Sequence, residues 1–595
     1  MEGGRGRGAR HGRARLRQLG AQTQRQRLMR AVVVGAGFAG SLIAKVLGDN
    51  GFRVLVLEAG AQTDHDEAVR RFRTVLVKTP LAPYRRTVAA PSSEYLVNTG
   101  PFAYSSPYLR MNGGTGTVWT GITPRMHPED FRTADLGRGR NWPLSYDDLE
   151  PYYRAAEWEI GVAADADEQR QHVPVADGYV YPMHALPRTY LDHAVASVVD
   201  GAHIDGRELL LVGTPQARNG VPVSGYRPDG NRCAGFASCV PVCPEDAKYT
   251  PHRTQKRWSP NVELRTRCVV NRVHADEFGR VTKVSYQRYE DDTTGRHTRQ
   301  EAEADVVVLA AHTIENAKLL LMSGLANSSD QVGRNLMDHP ALLTWALMPH
   351  PIGPFRGPGS TTSIEAFRCG RDRATRAPFR IEIGNWGWGW SAGSPDSDTA
   401  EFVAAGLRGT ALRRAVADRV GRQFTLQFEI EQEADPANRV TLGADRDAMG
   451  NPRPSIHYTL SDYVKDGLLA AKRVSDRIFE LLGADDYTSY KPDEERYFEH
   501  NGEPLRHWGA GHGGGTHVMG SSPRDSVVDQ WQRCWDHPNL YAVGCGSMPS
   551  LGTTNPSLTM AALALRTADH LVTAFSRATG RAVLAEPAGS RPPPR

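Results

Sequence analysis

The chain has 595 residues, of which 40% are hydrophobic and 23% charged, a composition typical of a globular protein with several domains. The net charge of +4 is uneven, because residues 1–30 carry nine arginines against one glutamate and contribute +8, which leaves −4 for the other 565 residues. This charge distribution argues against a basic, nucleic-acid-binding main body. No stretch approaches the ~20 apolar residues of a membrane span, and seven cysteines are too few for a disulfide scaffold in a chain of this length. We therefore predict a cytoplasmic protein.

Residues 1–28 form a basic segment without the apolar core of a secretory signal, and we predict a disordered tail. Two alternatives stay open: a nucleic-acid-binding arm, or a translation start assigned too early, with Met29 as the true first residue. At the other end, residues 577–595 finish in RPPPR and are also predicted to be disordered.

The first ordered segment, residues 31–60, has the pattern of a dinucleotide-binding βαβ unit. An apolar run at 31–34 leads into Gly35, Gly37 and Gly40 at G-x-G-x-x-G spacing, then a predicted helix at 41–47 and a strand at 54–57. The glycines allow a tight turn, the approach of a pyrophosphate and close helix packing. Glu58 lies 18 residues after Gly40, where a carboxylate accepts the ribose hydroxyls of FAD or NAD.

A second glycine-rich stretch follows at residues 112–131. Gly113 and Gly114 precede Thr117, Val118 and Trp119, a pattern that predicts a loop pressed against a flat ligand. The next element is predicted as a helix at 149–160 with Ser145 as its N-cap residue.

These motifs resemble those of the glucose-methanol-choline (GMC) oxidoreductases, FAD enzymes that oxidise alcohols and sugars. The same resemblance is found in VVLAAHTIENAKLLL, in GLANSSDQVGRNLMDHP and in the segment 509–571. The resemblance covers residues 29–576, and pyranose oxidases, C-glycoside oxidases and bacterial FAD glucose dehydrogenases are the nearest comparisons. It implies an α/β Rossmann-like FAD-binding domain plus an α+β substrate domain with an antiparallel sheet. The FAD-binding domain is expected at 29–160, 225–345 and 506–576, and the substrate domain at 161–224 and 346–505.

The resemblance also implies which residues contact the cofactor. Val118 stands where pyranose oxidases carry a flavin-linked histidine, so the FAD is expected to be non-covalent. Besides the two glycine-rich stretches and Glu58, the expected contacts are Val270, Ala310, Gly544, Asn555, Pro556 and Leu558.

Cys233, Cys239 and Cys243 have C-x5-C-x3-C spacing with a proline directly after the last. Clustered thiolates followed by proline hold iron–sulfur clusters, and three ligands suit a 3Fe–4S cluster, as in the resembled glucose dehydrogenases. The alternative is that these cysteines pack as small apolar residues. Downstream, residues 262–273 and 281–289 are predicted as a hairpin, and 304–310 as a returning central strand followed by a helix at 313–321.

The segment from 342 to 505 changes to period-two alternation, which predicts antiparallel strands, with helices at 399–420 and 462–482. Trp386, Trp388 and Trp390 alternate and are expected on one face of a strand; Trp388 is either a platform for a sugar ring or part of the core. Gln427 and Glu429 alternate with Glu431 and are candidates for a polar substrate pocket, which would suit a cationic amino sugar.

The C-terminal segment carries the expected chemistry. Oxidation of an alcohol by FAD requires a base for the hydroxyl proton while a hydride passes to flavin N5. In the resembled family the base opens the motif H-x-x-G-T-x-x-M-G, which places it at His512, and Asn555 is its partner. His517 is expected to support the flavin side, whereas His339 and His507 are expected to be structural, as is His537.

The sequence therefore predicts FAD-dependent oxidation of a sugar or glycoside hydroxyl, with O2 or a redox partner as electron acceptor. One alternative is a biosynthetic dehydrogenase for an amino-sugar alcohol of an aminoglycoside. An alternative of another class is a non-catalytic flavin electron-transfer protein, which the His512/Asn555 pair argues against. No nucleic-acid partner is expected, and a homo-oligomer is compatible with the sequence.

Overall fold

The computed structural model describes residues 29–75, 82–84, 87, 95–106 and 108–579. The predicted tail at 1–28 lies outside the described residues, as do residues 580–595, but the last helix continues to Thr579, three residues into the predicted C-terminal tail. In the described part of the chain, no helix is both long and apolar enough to cross a membrane.

Strands are numbered in chain order. Their bounds are β1 (Arg30–Val34), β2 (Arg53–Leu57), β3 (Val97–Asn98), β4 (His203–Ile204), β5 (Arg207–Glu208), β6 (Leu211–Gly213), β7 (Val262–Arg265), β8 (Cys268–Ala275), β9 (Val281–Tyr289), β10 (His297–Glu303), β11 (Val306–Leu309), β12 (Pro340–Leu347), β13 (Thr362–Ile364), β14 (Phe379–Gly384), β15 (Gln423–Ile430), β16 (Arg439–Arg446), β17 (Pro452–His457), β18 (Asp485–Asp486), β19 (Tyr497–His500), β20 (Glu503–Arg506), β21 (Trp508–Gly509) and β22 (Leu540–Ala542).

The α-helices are numbered in the same way. Their bounds are α1 (Phe38–Asp49), α2 (His65–Thr74), α3 (Tyr146–Ile160), α4 (Ala166–Gln169), α5 (Tyr190–Val199), α6 (Pro251–Gln255), α7 (Thr313–Ser323), α8 (Gly389–Ala392), α9 (Asp396–Ala404), α10 (Gly409–Arg422), α11 (Asp462–Leu482) and α12 (Ser557–Thr579).

A five-stranded parallel sheet has the order β22–β11–β1–β2–β7. Every residue of β11 and the four apolar residues of β1 are buried, as in a strand covered on both faces. Gly35 leads from β1 into α1 with a φ of +102°, in the left-handed region that favours glycine. The predicted Rossmann-like βαβ start is thereby confirmed, and α1 is longer than the predicted 41–47.

Two long helices, α3 and α12, form a layer outside α1. The N-terminus of α3 carries a capping box, in which the Ser145 side chain accepts from the backbone N–H of Asp148, and the Asp148 carboxylate accepts from that of Ser145. The predicted N-cap is confirmed, and the helix begins at Tyr146, directly after it. α12 packs against both α1 and α3 and joins the first and last parts of the chain in one layer.

The predicted hairpin at 262–273 and 281–289 is wrong in one respect. Residues 262–265 form β7 at the edge of the parallel sheet, and a new strand, β8, begins at Cys268. β8, β9 and β10 form a separate three-stranded antiparallel sheet, and the central parallel strand β11 begins after it at Val306. Because the strand is interrupted at 266–267, this β-rich stretch contributes one strand to the parallel sheet and the next to the antiparallel sheet.

A large antiparallel sheet has the order β18–β12–β15–β14–β13–β6, with β21 also paired to β12. Alternation places the apolar residues of β15, such as Phe424 and Phe428, on the face towards α11. The opposite face carries Gln427 and Glu429, which are buried too. β12 crosses the expected domain boundary at 345/346, and we propose that the boundary lies before Pro340.

Two sequence predictions fail next to this sheet. β14 ends at Gly384, so Trp386, Trp388 and Trp390 do not share a strand face; they lie in a turn and at the start of α8. Trp386 stacks on Trp390 with ring centroids 4.3 Å apart. The predicted helix at 399–420 is two helices, α9 and α10, because Gly406, between them, and Gly409, the first residue of α10, adopt positive φ.

Candidate active site

Two distant segments meet at the start of β12. Pro340 of β12 pairs with Gly509 of β21. This pairing places His339, just before β12, next to His512, just after β21. The carboxylate of Asp338 ties the two together, since its Oδ1 accepts the backbone N–H of His339 at 2.8 Å and that of His512 at 2.9 Å.

The imidazoles of His339 and His512 share a hydrogen bond, with 2.7 Å between their Nδ1 atoms. His339 Nε2 lies 2.9 Å from the carbonyl oxygen of Gly552. A carbonyl only accepts, so His339 Nε2 carries the hydrogen, and in the neutral ring Nδ1 is the acceptor. His512 therefore donates through Nδ1 and keeps a lone pair on Nε2.

Burial makes both rings neutral at neutral pH. It lowers the pKa of His512 well below the usual range, and the neighbouring His339 lowers it further. Burial also lowers the pKa of His339, to about 4. The His339 side chain is inaccessible, whereas 14% of the His512 side chain is exposed. His512 is thus the member of the pair that a ligand can reach.

Glu429 lies beside this pair without a close ionic partner. Its Oε2 is 3.8 Å from His512 Nδ1 and 3.9 Å from His339 Nδ1, beyond hydrogen-bond range, and has no hydrogen-bond partner. Its Oε1 accepts from the Gln427 amide at 2.5 Å. Burial, and then the Glu382 carboxyl, raise the pKa of Glu429 to about 8. Glu429 is therefore largely a neutral acid at pH 7.

A buried guanidinium orients Asn555 from the neighbouring strand. Arg380 of β14 lies opposite Glu429 of β15. It donates to Glu365 at 2.7 Å and to Glu382 at 2.6 Å, and its Nη1 lies 3.3 Å from Asn555 Oδ1. Because a guanidinium only donates, the amide oxygen of Asn555 faces Arg380 and the amide nitrogen faces away.

The segment that carries Asn555 is held along its length. The Gly552 carbonyl accepts from His339, and Arg368 donates to the hydroxyls of Thr553 at 3.1 Å and Thr554 at 2.7 Å. Pro556 follows, and α12 begins at the next residue. Asn555 thus stands on a turn held by several hydrogen bonds before a helix, and the turn contacts His512 through His339.

The first glycine motif and Glu58 fit an adenine dinucleotide. A Cβ on Gly40 would lie 2.0 Å from the Gly35 oxygen, so only glycine allows α1 this close to β1. At Gly37 the nearest atom to an added Cβ is 3.9 Å away, and no side chain caps α1, so its N-terminal N–H groups are open to a phosphate. The buried Glu58 carboxylate accepts from Ala36 N–H at 2.9 Å, and burial raises its pKa to about 7.

Of the other expected cofactor contacts, the second glycine pair lies beside the first glycine turn, whereas Trp119 does not face it. Gly113 and Gly114 both adopt positive φ next to Gly37, and Thr117 ends the short 3-10 turn that precedes Val118. Trp119 points elsewhere: its ring packs edge-on against Phe38 at 4.8 Å, and its N–H donates to the Tyr249 carbonyl.

Further along the chain, Ala310 closes the far side of the first turn, with its oxygen 2.6 Å from where a Cβ on Gly35 would lie. Val270 is half-buried on β8, in the antiparallel sheet next to β2, and Leu558 is fully buried in α12. Gly544 adopts a φ of +96° with open space at its Cβ. His517 is buried with an unpartnered Nε2, an atom free for a cofactor group.

The predicted substrate residues are separated by the fold. Gln427 and Glu429 lie beside the histidine pair, but Glu431 lies past the end of β15 and pairs with Arg373 and Tyr463. Trp388 is buried, with its N–H donating to the Ala346 carbonyl at 3.1 Å. This position favours the core alternative for Trp388.

The three clustered cysteines are free thiols in a partly buried loop. Cys243 Sγ accepts the backbone N–H of Ala247 at 3.3 Å, and the buried Lys248 donates to the Cys239 carbonyl at 2.6 Å. Burial lowers the pKa of Lys248 to about 8. Cys233 is half-buried in the same loop.

Sequence reasoning missed His339, Arg380 and Glu382 as members of the site. His339 lies in the quoted DHP motif, but nothing in its spacing links it to His512, 173 residues later. Arg380 and Glu382 are two residues apart on β14, so their side chains share one face of the strand. Gln427 and Glu429 have the same spacing on β15, and the two alternations together could have predicted one polar face across both strands.

A glycine turn that fits an adenine dinucleotide, together with a buried neutral histidine pair, is typical of an oxidoreductase with a dinucleotide cofactor. Family models of the GMC oxidoreductases match residues 210–341 and 434–564. The large subunit of fructose dehydrogenase from Gluconobacter japonicus is 33% identical over 568 residues, which cover 91% of this chain and 97% of that protein. The chain belongs to the GMC oxidoreductase family, whose members bind FAD.

Two further relatives widen the comparison. Paromamine 6'-oxidase from Streptomyces fradiae is 27% identical, with 91% of each chain covered. The solved formate oxidase of Aspergillus oryzae RIB40, studied for FAD modification, matches with a TM-score of 0.60 at 16% identity, covering 93% of this chain and 99% of its own, which shows a shared fold. Nothing in these comparisons supports an iron–sulfur cluster, and the function proposed below does not depend on one.

Proposed function

We propose that this protein oxidises a hydroxyl of a sugar or glycoside to a carbonyl, with His512 as the base and Asn555 as the group that orients the hydroxyl. The observation that carries the proposal is the hydrogen bond from His512 to His339, which leaves the more accessible ring with a lone pair on Nε2. The similarity to a fructose dehydrogenase large subunit supports a sugar as substrate.

In the proposed reaction, the residues of this chain would remove the hydroxyl proton of the substrate. His512 Nε2 accepts the hydrogen of the substrate hydroxyl, and the Asn555 amide nitrogen donates to the same oxygen as negative charge grows on it. FAD, when bound, supplies the acceptor for the hydride that leaves the carbon. Glu58, the N-terminus of α1 and His517 would hold the cofactor, and Val118 offers no ring nitrogen for a covalent link, which supports non-covalent binding.

Neighbouring residues of the protein, and not the substrate, set the hydrogen-bond directions of His512 and Asn555. His339 fixes which nitrogen of His512 accepts, because Gly552 fixes the hydrogen on His339. Arg380 fixes which end of the Asn555 amide donates. The site therefore presents one acceptor and one donor, which matches an alcohol that gives up its hydrogen while its oxygen becomes negative.

The amino-sugar alternative rests on the similarity to paromamine 6'-oxidase and on Glu429 beside the base. The protonated state of Glu429 weakens that reading, because a neutral acid offers a cation little attraction. Substitution of Glu429 by Gln separates the two substrates. It should spare a neutral sugar, whereas KM for a paromamine-like amine should rise severalfold if Glu429 binds the cation.

The deciding experiment compares purified wild-type enzyme with the His512→Ala variant on a panel of sugars, glycosides and amino sugars. Peroxide formation and reduction of an artificial electron-accepting dye are both recorded, because the relatives include oxidases and dehydrogenases. We expect kcat to fall on the order of 10³-fold for the best substrate, with flavin content unchanged. A non-catalytic flavoprotein would lose no function in the variant, and that result would overturn the proposal.

A further inference from the structure

A helical hairpin, formed by α9, α10 and the turn between them (residues 396–422), stands at the surface next to the large antiparallel sheet. The principal packing partner of each helix is the other, and no residue of α10 is buried. Most surface helices bury one face against their own protein, so an ordered helix without a buried face has a surface available to something else.

The base of this hairpin is fixed. Arg419 of α10 lies 4.1 Å from the centre of the Phe402 ring, and its guanidinium pairs with Glu401 at 2.6 Å and Asp398 at 3.6 Å. Ser394, just before α9, hydrogen-bonds to Gln423 at the start of β15 at 2.7 Å. The hairpin is therefore held at a defined angle, and its far end, residues 403–414, points away from these anchors.

The far end combines aliphatic residues with cations. Val403 is 36% exposed and Leu407 half-buried. Arg408, Arg413 and Arg414 are exposed, and none of them lies within 4.0 Å of a carboxylate among the residues that the structure describes. Since the chain after residue 30 sums to −4, this end is a local positive patch on a mildly acidic body.

An open apolar cleft of about 520 Å³ runs beside α10. Leu412, Val416 and Val420, spaced one helical turn apart, form one wall, and Pro354 and Pro395 lie among the opposite lining residues. Exposed Arg356 and Arg413 also line it. A cleft with aliphatic walls and guanidinium groups suits a ligand with a hydrocarbon chain and an anionic head.

We propose that the hairpin docks on the surface of an anionic phospholipid bilayer. Leu407, Leu412 and Val416 lie at the level of the acyl chains, the exposed arginines, which have no carboxylate partner among the described residues, contact lipid phosphates, and the cleft takes part of an acyl chain. An acidic protein partner fits less well, because it would use the arginines but leave the open aliphatic cleft beside them without a hydrocarbon chain.

The test is sedimentation of the full-length protein with vesicles of POPC and POPG at 7:3, and with vesicles of POPC alone. The hairpin variant is Arg408→Gln, Arg413→Gln, Arg414→Gln; the matched control is Arg272→Gln, Arg288→Gln, Arg299→Gln, three exposed arginines on the sheet of β8–β10. The basic residues 1–28 are present in every protein, so the difference between variants isolates the hairpin. A third variant, Leu412→Asp, tests the apolar contribution.

We expect the wild type to bind the anionic vesicles, less so in 300 mM NaCl, and the hairpin variant to lose about fivefold for each arginine. The control variant should bind like the wild type, and Leu412→Asp should bind more weakly. Turnover of the soluble substrate should stay unchanged in all of them, which shows that they fold. Equal binding of the hairpin and control variants, or equal binding to both kinds of vesicle, would overturn the proposal.

Discussion

In the parallel sheet the groups that face the expected cofactor are glycines, backbone N–H groups and one carboxylate, whereas in the large antiparallel sheet they are buried ionisable side chains. Gly35, Gly37 and Gly40 matter because they have no side chain: an added Cβ would meet backbone atoms at Gly35 and Gly40 and would occupy open space at Gly37. Arg380 and Glu429 act through charge and proton position. The first region is sensitive to added volume, and the second to a change of charge or hydrogen-bond direction.

Removal of Arg380 is the strongest test of the charge-based region. Arg380→Met leaves Glu365 and Glu382 buried without their shared cation, and we expect a loss of about 3–5 kcal/mol in the free energy of unfolding, measured by denaturant titration. Arg376→Met is the control, because Arg376 pairs with the half-exposed Asp372, and should cost less than about 1 kcal/mol. Similar losses in the two variants would contradict the comparison.

Reversal of one hydrogen-bond direction tests the same region by activity. Asn555→Asp keeps an oxygen for Arg380 but replaces the donor by an acceptor, so kcat at pH 7 should fall by about 10²–10³-fold. Activity should partly return at lower pH, as the new carboxyl takes up a proton. If kcat at pH 7 stayed at the wild-type level, Asn555 would not be a donor, while a loss in His512→Ala would still identify the base.

Added volume tests the glycine-built region. Gly40→Ala places a methyl group 2.0 Å from the Gly35 oxygen and forces α1 away from β1, so we expect a loss of about 1–3 kcal/mol in stability together with a lower flavin content. Gly421→Ala in α10, with no atom within 4 Å of the new Cβ, should instead gain up to about 1 kcal/mol. Unchanged flavin content in Gly40→Ala would show that the contact is not needed.

A smaller effect on kcat is expected where one hydrogen bond is removed and no buried charge is left without its partner. His339→Ala should lower kcat by about tenfold because His512 loses the acceptor for its Nδ1 hydrogen. His339→Gln, whose amide both accepts and donates, should recover part of the loss and restore the shape of the pH profile. The control is His507→Ala, a buried histidine outside this network, which should lower Tm without changing that profile.

The smallest effect concerns pH and Glu429. Burial raises the folded-state pKa of Glu429 above its ordinary value of 4.5 to about 8, so the folded protein holds a proton that the unfolded chain releases. Stability is therefore lost as pH rises from about 4.5 to 8. Glu429→Gln removes this dependence. The Tm of the variant minus that of the wild type should therefore rise by roughly 1 °C for each unit of increasing pH. A constant Tm difference over that range would mean that Glu429 is ionised throughout.

Much of the fold was predictable because its signals are local. The G-x-G-x-x-G turn with Glu58, the capping box at Ser145 and the period-two alternation of β15 each depend on neighbours a few residues apart. The helix predicted at 462–482 has those bounds in the structure. The errors fell where local alternation continued past a strand, as after Gly384, or where two glycines interrupted a helical pattern between α9 and α10.

The sequence by itself determined the dinucleotide-binding sheet, the family resemblance and the two candidate residues His512 and Asn555. Only the tertiary structure decided how those residues are oriented. The pairing of β12 with β21 brings His339 to His512, and the register of β14 against β15 brings Arg380 between Glu429 and Asn555. Such contacts join positions about 170 residues apart, and a hydrogen-bond direction depends on the partner of each atom, which no local pattern encodes.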